Sequence, residues 1–325
     1  MNLSGNSIQD FVTRTEMIPP EERRAFAQAA RDAAIIAWGR IADLRHTTME
    51  IRHKPGGPAS PADTLAEEVI YGILRQKYPP EDFGYLGEES IADSTSRRER
   101  SLIWIIDPID GTKSFLEGRP DFAMQIGLAE SEAPGAPAKL IAAAVYLPAH
   151  GQMFTAALGA GAYYEAEIRG QDEPRWWEGL TPDRRTPDRA NFGTPERMHT
   201  RSEALLSNCA AVTAPSWNTP KLALVKEHVP LQRWYHRGSL GVKLCEIAMG
   251  RADIFINTDG SVANEWDLAA PHLILTESGG TITDLLGGEI SYNRPDTPLT
   301  NGIIATNGAC HETLLAALQG LPHFY

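Results

Sequence analysis

Leu102-Ile103-Trp104-Ile105-Ile106-Asp107-Pro108-Ile109-Asp110-Gly111-Thr112 is the stretch on which the fold turns. The β-branched and aromatic run 102–106 predicts a buried strand, so Asp107 and Asp110 fall where that strand ends. Gly111 lets the backbone approach a ligand closely at that point. Strand ends are where open α/β sheets bind their ligands. Two carboxylates this close repel one another and resist burial unless a cation holds them. The pattern points to a metal.

Upstream, Phe26, Ala30, Ala33, Ala37, Ile41 and Leu44 recur at helical spacing and predict a helix over 21–46. Residues 52–60, with Gly56-Gly57-Pro58, read as a loop, and a second helix is predicted over 61–78 with Leu65, Val69 and Ile73 inward. A short strand within 84–90 ends in the acidic pair Glu88-Glu89. Downstream, 122–129, 140–147 and 152–157 read as an antiparallel meander separated by Gly- and Pro-rich turns.

Residues 166–200 are polar and Pro-rich, contain Arg175-Trp176-Trp177-Glu178, and read as an insertion or loop. The last third alternates again: a helix opened by Gly238-Ser239 and running to Gly250, a strand over 252–257, and a helix over 267–278 stopped by Gly279-Gly280. A strand over 281–284 and a helix over 309–318 follow. The chain is a layered α/β protein. Its expected divisions are a leader (1–20), an N-terminal α+β subdomain with the main acidic motifs (21–165), the insertion (166–200), and a C-terminal α/β subdomain carrying Asp267 (201–325).

At 325 residues, with 42% hydrophobic and 22% charged side chains, the chain has an ordinary globular composition and can bury a large core. No apolar run reaches the roughly 18 residues of a membrane span. The segment 1–15 is polar and lacks the apolar centre of a secretion signal. Cys209, Cys245 and Cys310 are scattered, without metal-ligand spacing, and read as reduced, buried thiols. These features fit a cytoplasmic enzyme. A net charge of −12 argues against binding nucleic acid polymers, while a bound cation would still allow an anionic small molecule.

Four acidic groups stand at the edges of predicted elements: Asp63, Glu88-Glu89, Asp107 with Asp110, and Asp267. Each has a plain structural alternative. Ser60-Pro61-Ala62-Asp63 fits a helix capping box, Gly87-Glu88-Glu89-Ser90 is an ordinary surface turn, and Asp267 reads as an N-cap. Together they form an all-oxygen donor set, which suits hard cations such as Mg2+ better than zinc. Gly111 and Thr112 offer backbone N–H groups at a helix start, a seat for phosphate.

Trp104-Ile105-Ile106-Asp107-Pro108-Ile109-Asp110-Gly111-Thr112-Lys113-Ser114-Phe115 closely resembles the signature of the inositol monophosphatase superfamily. Gly87-Glu88-Glu89-Ser90 resembles its upstream metal motif, and Glu265-Trp266-Asp267-Leu268-Ala269-Ala270 with Glu277-Ser278-Gly279-Gly280 its second signature. The resemblance implies the layered α-β-α-β-α sandwich of the inositol monophosphatase and fructose-1,6-bisphosphatase type. It implies one Mg2+ on Glu88, Asp107 and the Ile109 carbonyl, and a second on Asp107, Asp110 and Asp267. A third, weaker ion would sit near Glu88 and Asp63. Thr112, with Asp63 or Glu88, would activate the attacking water. Lithium sensitivity and a homodimer are further family traits.

For the substrate, Lys113 is similar to the lysine that bisphosphate nucleotidases carry after Gly-Thr. Gly238-Ser239 with Lys243 is similar to their segment contacting the nucleotide's other phosphate, although the serine-to-lysine spacing departs from the bacterial pattern. His236 and Arg237 read either as added positive charge or as solvated surface. Inositol phosphatases place a glutamate near the position of Gly260, which this chain lacks. The expectation is therefore a nucleotidase of the bacterial sulfur-assimilation type, with Gly111, Thr112, Lys113, Ser239 and Lys243 binding 3'-phosphoadenosine 5'-phosphate. The alternatives are an inositol monophosphatase or another sugar-phosphate phosphatase, such as a fructose-1,6-bisphosphatase or a histidinol phosphatase. A catalytically silent, metal-binding regulator would lack a metal ligand or Thr112, and none is missing.

Overall fold

The strand predicted over 102–106 is the spine of a seven-stranded sheet, and it runs further than the sequence suggests. The structure is a computed structural model that describes residues 18–47, 50–54, 57–90, 94–167, 192–214, 219–258 and 263–321. The leader through residue 17, Arg175-Trp176-Trp177-Glu178 and Gly260 lie outside these residues.

The N-terminal half begins with helix α1 (Pro20–Ile41) and the short antiparallel strands β1 (Arg52–Lys54) and β2 (Gly57–Ala59), where a loop was expected. Helix α2 (Pro61–Lys77), strand β3 (Phe83–Gly87), the short α3 (Ser94–Arg97), strand β4 (Leu102–Asp110) and helix α4 (Thr112–Leu116) follow. Strands β5 (Ala123–Ser131), β6 (Ala138–Leu147), β7 (Gln152–Ala157), β8 (Gly161–Ala166) and β9 (Glu196–Arg197) complete the sheet, whose order is β3-β4-β5-β6-β7-β8-β9. Only the β3–β4 pair is parallel, so 122–157 is the expected meander. β9 comes from the segment read as an insertion and pairs with β8.

The C-terminal half contains β10 (Ala210–Thr213), α5 (Pro220–His228) and β11 (Arg233–His236), which the sequence reading passed over. Then come α6 (Leu240–Ala248), β12 (Ile254–Asn257), α7 (Glu265–Glu277), β13 (Thr281–Thr283), β14 (Ile303–Thr306), also unforeseen, and α8 (His311–Gln319). The five-stranded sheet has the order β11-β10-β12-β14-β13.

Side-chain alternation on the strands divides the core into layers. Trp104, Ile106, Met124 and Ile126 pack under α1 and α2, where Ala30, Ala33, Ala34 and Ala37 let α1 lie close to the sheet. Ile103, Ile105 and Ala123 face the other way, onto α6 and α7. Those two helices also receive Val212, Phe255 and Ala305 of the second sheet. Ile254, Ile256 and Ile304 cover α5 and α8 on its far side. The sequence of layers is α-β-α-β-α, as expected. Cys209, Cys245 and Cys310 are all buried and free, and no described helix is long and apolar enough to cross a membrane.

Candidate active site

All nine residues of β4 are buried. Its pairing with β5 holds register through Asp107↔Gln125 and then shifts before Asp110↔Ala123. Pro108 falls in this irregular step and has no N–H to give a ladder. The carboxylate of Asp107 folds back to accept the Ile109 N–H at 3.0 Å. β3, parallel to β4, ends at Gly87, so Glu88 emerges beside the same step, its N–H on the Ile106 carbonyl at 3.2 Å. α7 supplies the third element. Asn264 is its N-cap and Asp267 is the third helical residue, accepting the Asn264 N–H at 2.6 Å. The N-cap reading of Asp267 is thus corrected by one helical turn, because the helix starts at Glu265.

One oxygen each from Asp107, Asp110 and Asp267 lies within 4.8 Å of the others. Burial pushes the Asp107 carboxyl well above the usual range, and the charges of Glu88 and Asp110 push the same way. Asp267 is raised well above its ordinary value by burial, then by Asp110 and Glu88. Glu88 adds its negative charge beside Asp107, a crowding that a cation between them would relieve. An all-oxygen set with this much crowded negative charge fits a hard divalent cation. Glu88, Asp107, Asp110, Asp267 and the Ile109 carbonyl are the groups that would hold it.

Asp63 is both a cap and a member of the site. It is fully buried and is the third residue of α2, with Oδ2 accepting from the Ser60 N–H at 2.8 Å and the Ser60 hydroxyl at 2.6 Å. Its other oxygen, Oδ1, accepts from the Thr112 hydroxyl at 2.8 Å. The Ile109 carbonyl is a second, longer acceptor for that hydroxyl at 3.2 Å. Burial raises the Asp63 carboxyl, and the Ser60 and Thr112 hydrogen bonds partly offset it. Thr112 is placed by Gly111, whose φ of +92° only glycine adopts freely.

One turn along the same face of α2, the buried Glu67 accepts the Glu89 N–H at 2.9 Å. A Cβ at Gly87 would lie 2.2 Å from its Oε2. Glu67 therefore fixes the Glu88-Glu89 turn. It went unrecognised in the sequence, although its i, i+4 relation to Asp63 was the available signal.

The turn before α6 braces the cluster from the other side. Ser239 adopts φ 50°, ψ 137°, outside the ordinary range for a residue with a side chain. Its hydroxyl donates to Asp110 Oδ2 at 2.5 Å, and the Gly241 N–H reaches the same oxygen at 2.7 Å. Lys243 is buried, with Nζ donating to the Ser239 carbonyl at 2.5 Å and the Gly238 carbonyl at 3.3 Å. Burial lowers its pKa to about 8, against the pull of Asp110. Asp121 accepts the Gly238 N–H at 3.0 Å. Ser239 and Lys243, expected on substrate, are thus held inside the protein against Asp110 and the turn.

Lys113 is exposed, 4.0 Å from Glu117. Arg237 pairs with Glu246 at 2.9 Å, and Tyr235 donates to the same carboxylate at 2.6 Å, so the charge read at Arg237 is locally balanced.

Residues 22–323 match the model of the inositol monophosphatase family. The Nus factor SuhB of Xylella fastidiosa is 30% identical over 281 residues, covering 86% of this chain and 88% of that protein. Human inositol monophosphatase 1 is 26% identical over 277 residues, covering 84% and 85% respectively. The solved structure of inositol monophosphatase from Anabaena (Nostoc) has the same fold, with a TM-score of 0.66 at 23% identity over 93% of this chain and 98% of that one.

Proposed function

The chain belongs to the inositol monophosphatase family, and from that premise we propose that it is a Mg2+-dependent phosphomonoesterase that hydrolyses the 3'-phosphate of 3'-phosphoadenosine 5'-phosphate. The observation that carries the phosphatase reading is the Thr112–Asp63 pair at 2.8 Å, built onto the same β4 step as the cluster of Asp107, Asp110 and Asp267. Glu88, Asp107 and the Ile109 carbonyl would hold one ion, and Asp107, Asp110 and Asp267 a second, with Asp107 common to both. A weaker third position falls near Glu88 and Asp63. Bound there, Mg2+ supplies charge neutralisation for phosphoryl oxygens and increased acidity for water.

The chain's own residues handle the proton. The Thr112 hydroxyl already donates to Asp63, which leaves its oxygen to act as acceptor for a water. As the water attacks in line, its proton passes to Thr112 Oγ while the Thr112 proton passes to Asp63 Oδ1. Burial has made that carboxylate a better base. No phosphoenzyme forms, and positioning with electrostatics provides the rate.

Lys113 supports the nucleotide reading: it is exposed, next to Thr112, and free to swing toward a second phosphate from its weak contact with Glu117. Inositol 1-phosphate is the second reading, supported by the relatives that carry the inositol monophosphatase name. The test is kcat/KM with Mg2+ on 3'-phosphoadenosine 5'-phosphate, inositol 1-phosphate and fructose 1,6-bisphosphate. Preference for the nucleotide supports the proposal, and preference for a sugar or inositol phosphate replaces its substrate while keeping the chemistry. Release of no phosphate from any of them rejects it. A homodimer, with its assembly read by light scattering, completes the proposal.

A further inference from the structure

Gln125 is the third residue of β5 and is fully buried, yet neither its amide oxygen nor its amide nitrogen has a hydrogen-bond partner among the described residues. Its neighbours Met124 and Ile126 point into the α1–α2 layer, so Gln125 points the opposite way, into the layer of α6 and α7. An apolar side chain would serve there if packing were the only need, as Ala123 and Ala129 do on the same face. A buried carboxamide without partners is costly and needs an explanation.

Its position supplies one. Gln125 stands directly opposite Asp107 in the β4–β5 ladder, and residues opposite one another share a face with Cβ atoms about 4.5–5.5 Å apart. From above, α6 presses Gly241 onto the amide. A Cβ at that glycine would lie 3.1 Å from Gln125 Cδ and 3.3 Å from Nε2. The N–H of this same Gly241 holds Asp110 Oδ2 at 2.7 Å. The amide is therefore wedged between the strand position of one carboxylate and the helix turn that anchors another.

We propose that Gln125 is a positioning residue of the metal centre. Its NH2 donates to the Asp107 carboxylate, directly or through one ordered water, when a divalent cation draws that carboxylate into its liganding orientation. Partners of this kind orient metal-binding carboxylates, and losing one costs roughly 10–100-fold in metal affinity. The inference rests on the metal reading of the cluster.

Gln125→Met conserves volume and removes all hydrogen bonding, and the full chain is compared with wild type by calorimetric titration with Mg2+ and by melting in EDTA. The expected result is an affinity about 10-fold weaker or more, with metal-free melting unchanged or higher because an unpaired amide has gone. Equal affinities alongside higher metal-free melting would overturn the inference and leave Gln125 as an unpaired core group. Wild-type protein that binds no divalent cation would overturn the metal reading as well, a distinct outcome. Independently of whether the variant folds, a crystal structure of wild type with Mn2+ decides the point. Nε2 within hydrogen-bond reach of Asp107, or bridged to it by water, supports the role, and an amide turned away from it refutes the role.

Discussion

Two buried aspartates, Asp107 at the end of the large sheet and Asp253 just before β12 in the small one, have opposite surroundings. Asp253 is fully buried and fully served: Oδ2 accepts from the Ala210 N–H at 2.9 Å and Arg201 Nη1 at 2.8 Å, and Oδ1 from Asn307 Nδ2 at 2.9 Å. Asp107 accepts the Ile109 N–H at 3.0 Å, and the charged groups acting on it are the acids Glu88, Asp110 and Asp267. The chain brings its own cation and donors to Asp253, whereas the surroundings of Asp107 suit completion by a cation from outside. Burial alone does not mark a functional carboxylate. What marks it is a surplus of negative charge with open lone pairs.

The widest separation comes from neutralising Asp107. Asp107→Asn should lower kcat/KM by well over about 100-fold, beyond the roughly 10–100-fold cost of losing a mere supporting partner. In EDTA the same variant should melt higher than wild type, by roughly 1–2 °C for each kcal/mol of relieved repulsion in a chain of this length. Near-normal turnover, or a lower metal-free melting temperature, would erase the contrast with Asp253.

Asp253→Ala should behave in the opposite sense. It strips Arg201, Asn307 and the Ala210 N–H of their acceptor, and breaking a buried pair costs about 3–5 kcal/mol. The low end applies, since the Arg201 side chain is 42% exposed and keeps its contact with water. Urea unfolding should show that loss, while the folded fraction keeps wild-type kcat. A selective loss of kcat with unchanged stability would place Asp253 in the chemistry.

The difference between these two stations was only partly legible in the sequence. Asp107 and Asp110 declare themselves because their spacing and the apolar run before them are local. Asp267 is legible through its own helix start. Asp253 resembles any aspartate in Arg251-Ala252-Asp253-Ile254, since its partners come from positions 201, 210 and 307. Gln125 was hidden in the same way, as one polar residue in a strand whose cross-strand partner fixes its meaning. Lys243 and Ser239 were singled out for substrate because Gly238-Ser239 with Lys243 is similar to a nucleotidase segment that contacts the nucleotide's other phosphate. The structure turns both inward, and nothing local announces the positive φ of Ser239. The small sheet was under-read because β10 and β14 are four-residue buried runs without alternation.

A pH series probes the crowding around Asp107. Burial and like charge raise Asp107 and Asp267 well above their ordinary values, so at these two groups the metal-free fold binds more protons than the unfolded chain. Their contribution to metal-free stability should be greatest below about pH 4, near the unfolded carboxylate pKa, and fall as pH rises through the folded values. Lys243 has the reverse sign. Its folded pKa of about 8 lies below its ordinary value of 10.5, so its term adds stability as pH climbs between the two. The cluster's contribution in EDTA should therefore decline from acid toward neutral pH, opposed by the buried His272, whose pKa burial lowers to about 4, and Lys243 adds stability above about pH 8. The increment from added Mg2+ should grow with pH, because the ligands must be ionised. A stability difference in EDTA between Asp107→Asn and wild type that fails to grow from pH 4 to 7 would mean that the cluster is not strained by its own charge.

The smallest effect concerns the cation nearest each aspartate. Arg201 touches Asp253 directly, whereas Lys243 holds the turn beside the acidic cluster: its ammonium binds the carbonyls of Gly238 and Ser239 and attracts Asp110, which Ser239 binds. If this geometry governs its role, Lys243→Met loosens the turn and lets Asp110 drift, which lowers turnover for every substrate alike. The expected loss is about tenfold in kcat/KM, the scale of losing a supporting partner. It should be the same for 3'-phosphoadenosine 5'-phosphate and inositol 1-phosphate, and accompanied by weaker Mg2+ binding. A loss confined to the bisphosphate nucleotide, with Mg2+ affinity intact, would instead put the ammonium on the second phosphate. Lys243 would then resemble Arg201 after all, a cation with a direct anionic partner, except that its partner would be the substrate.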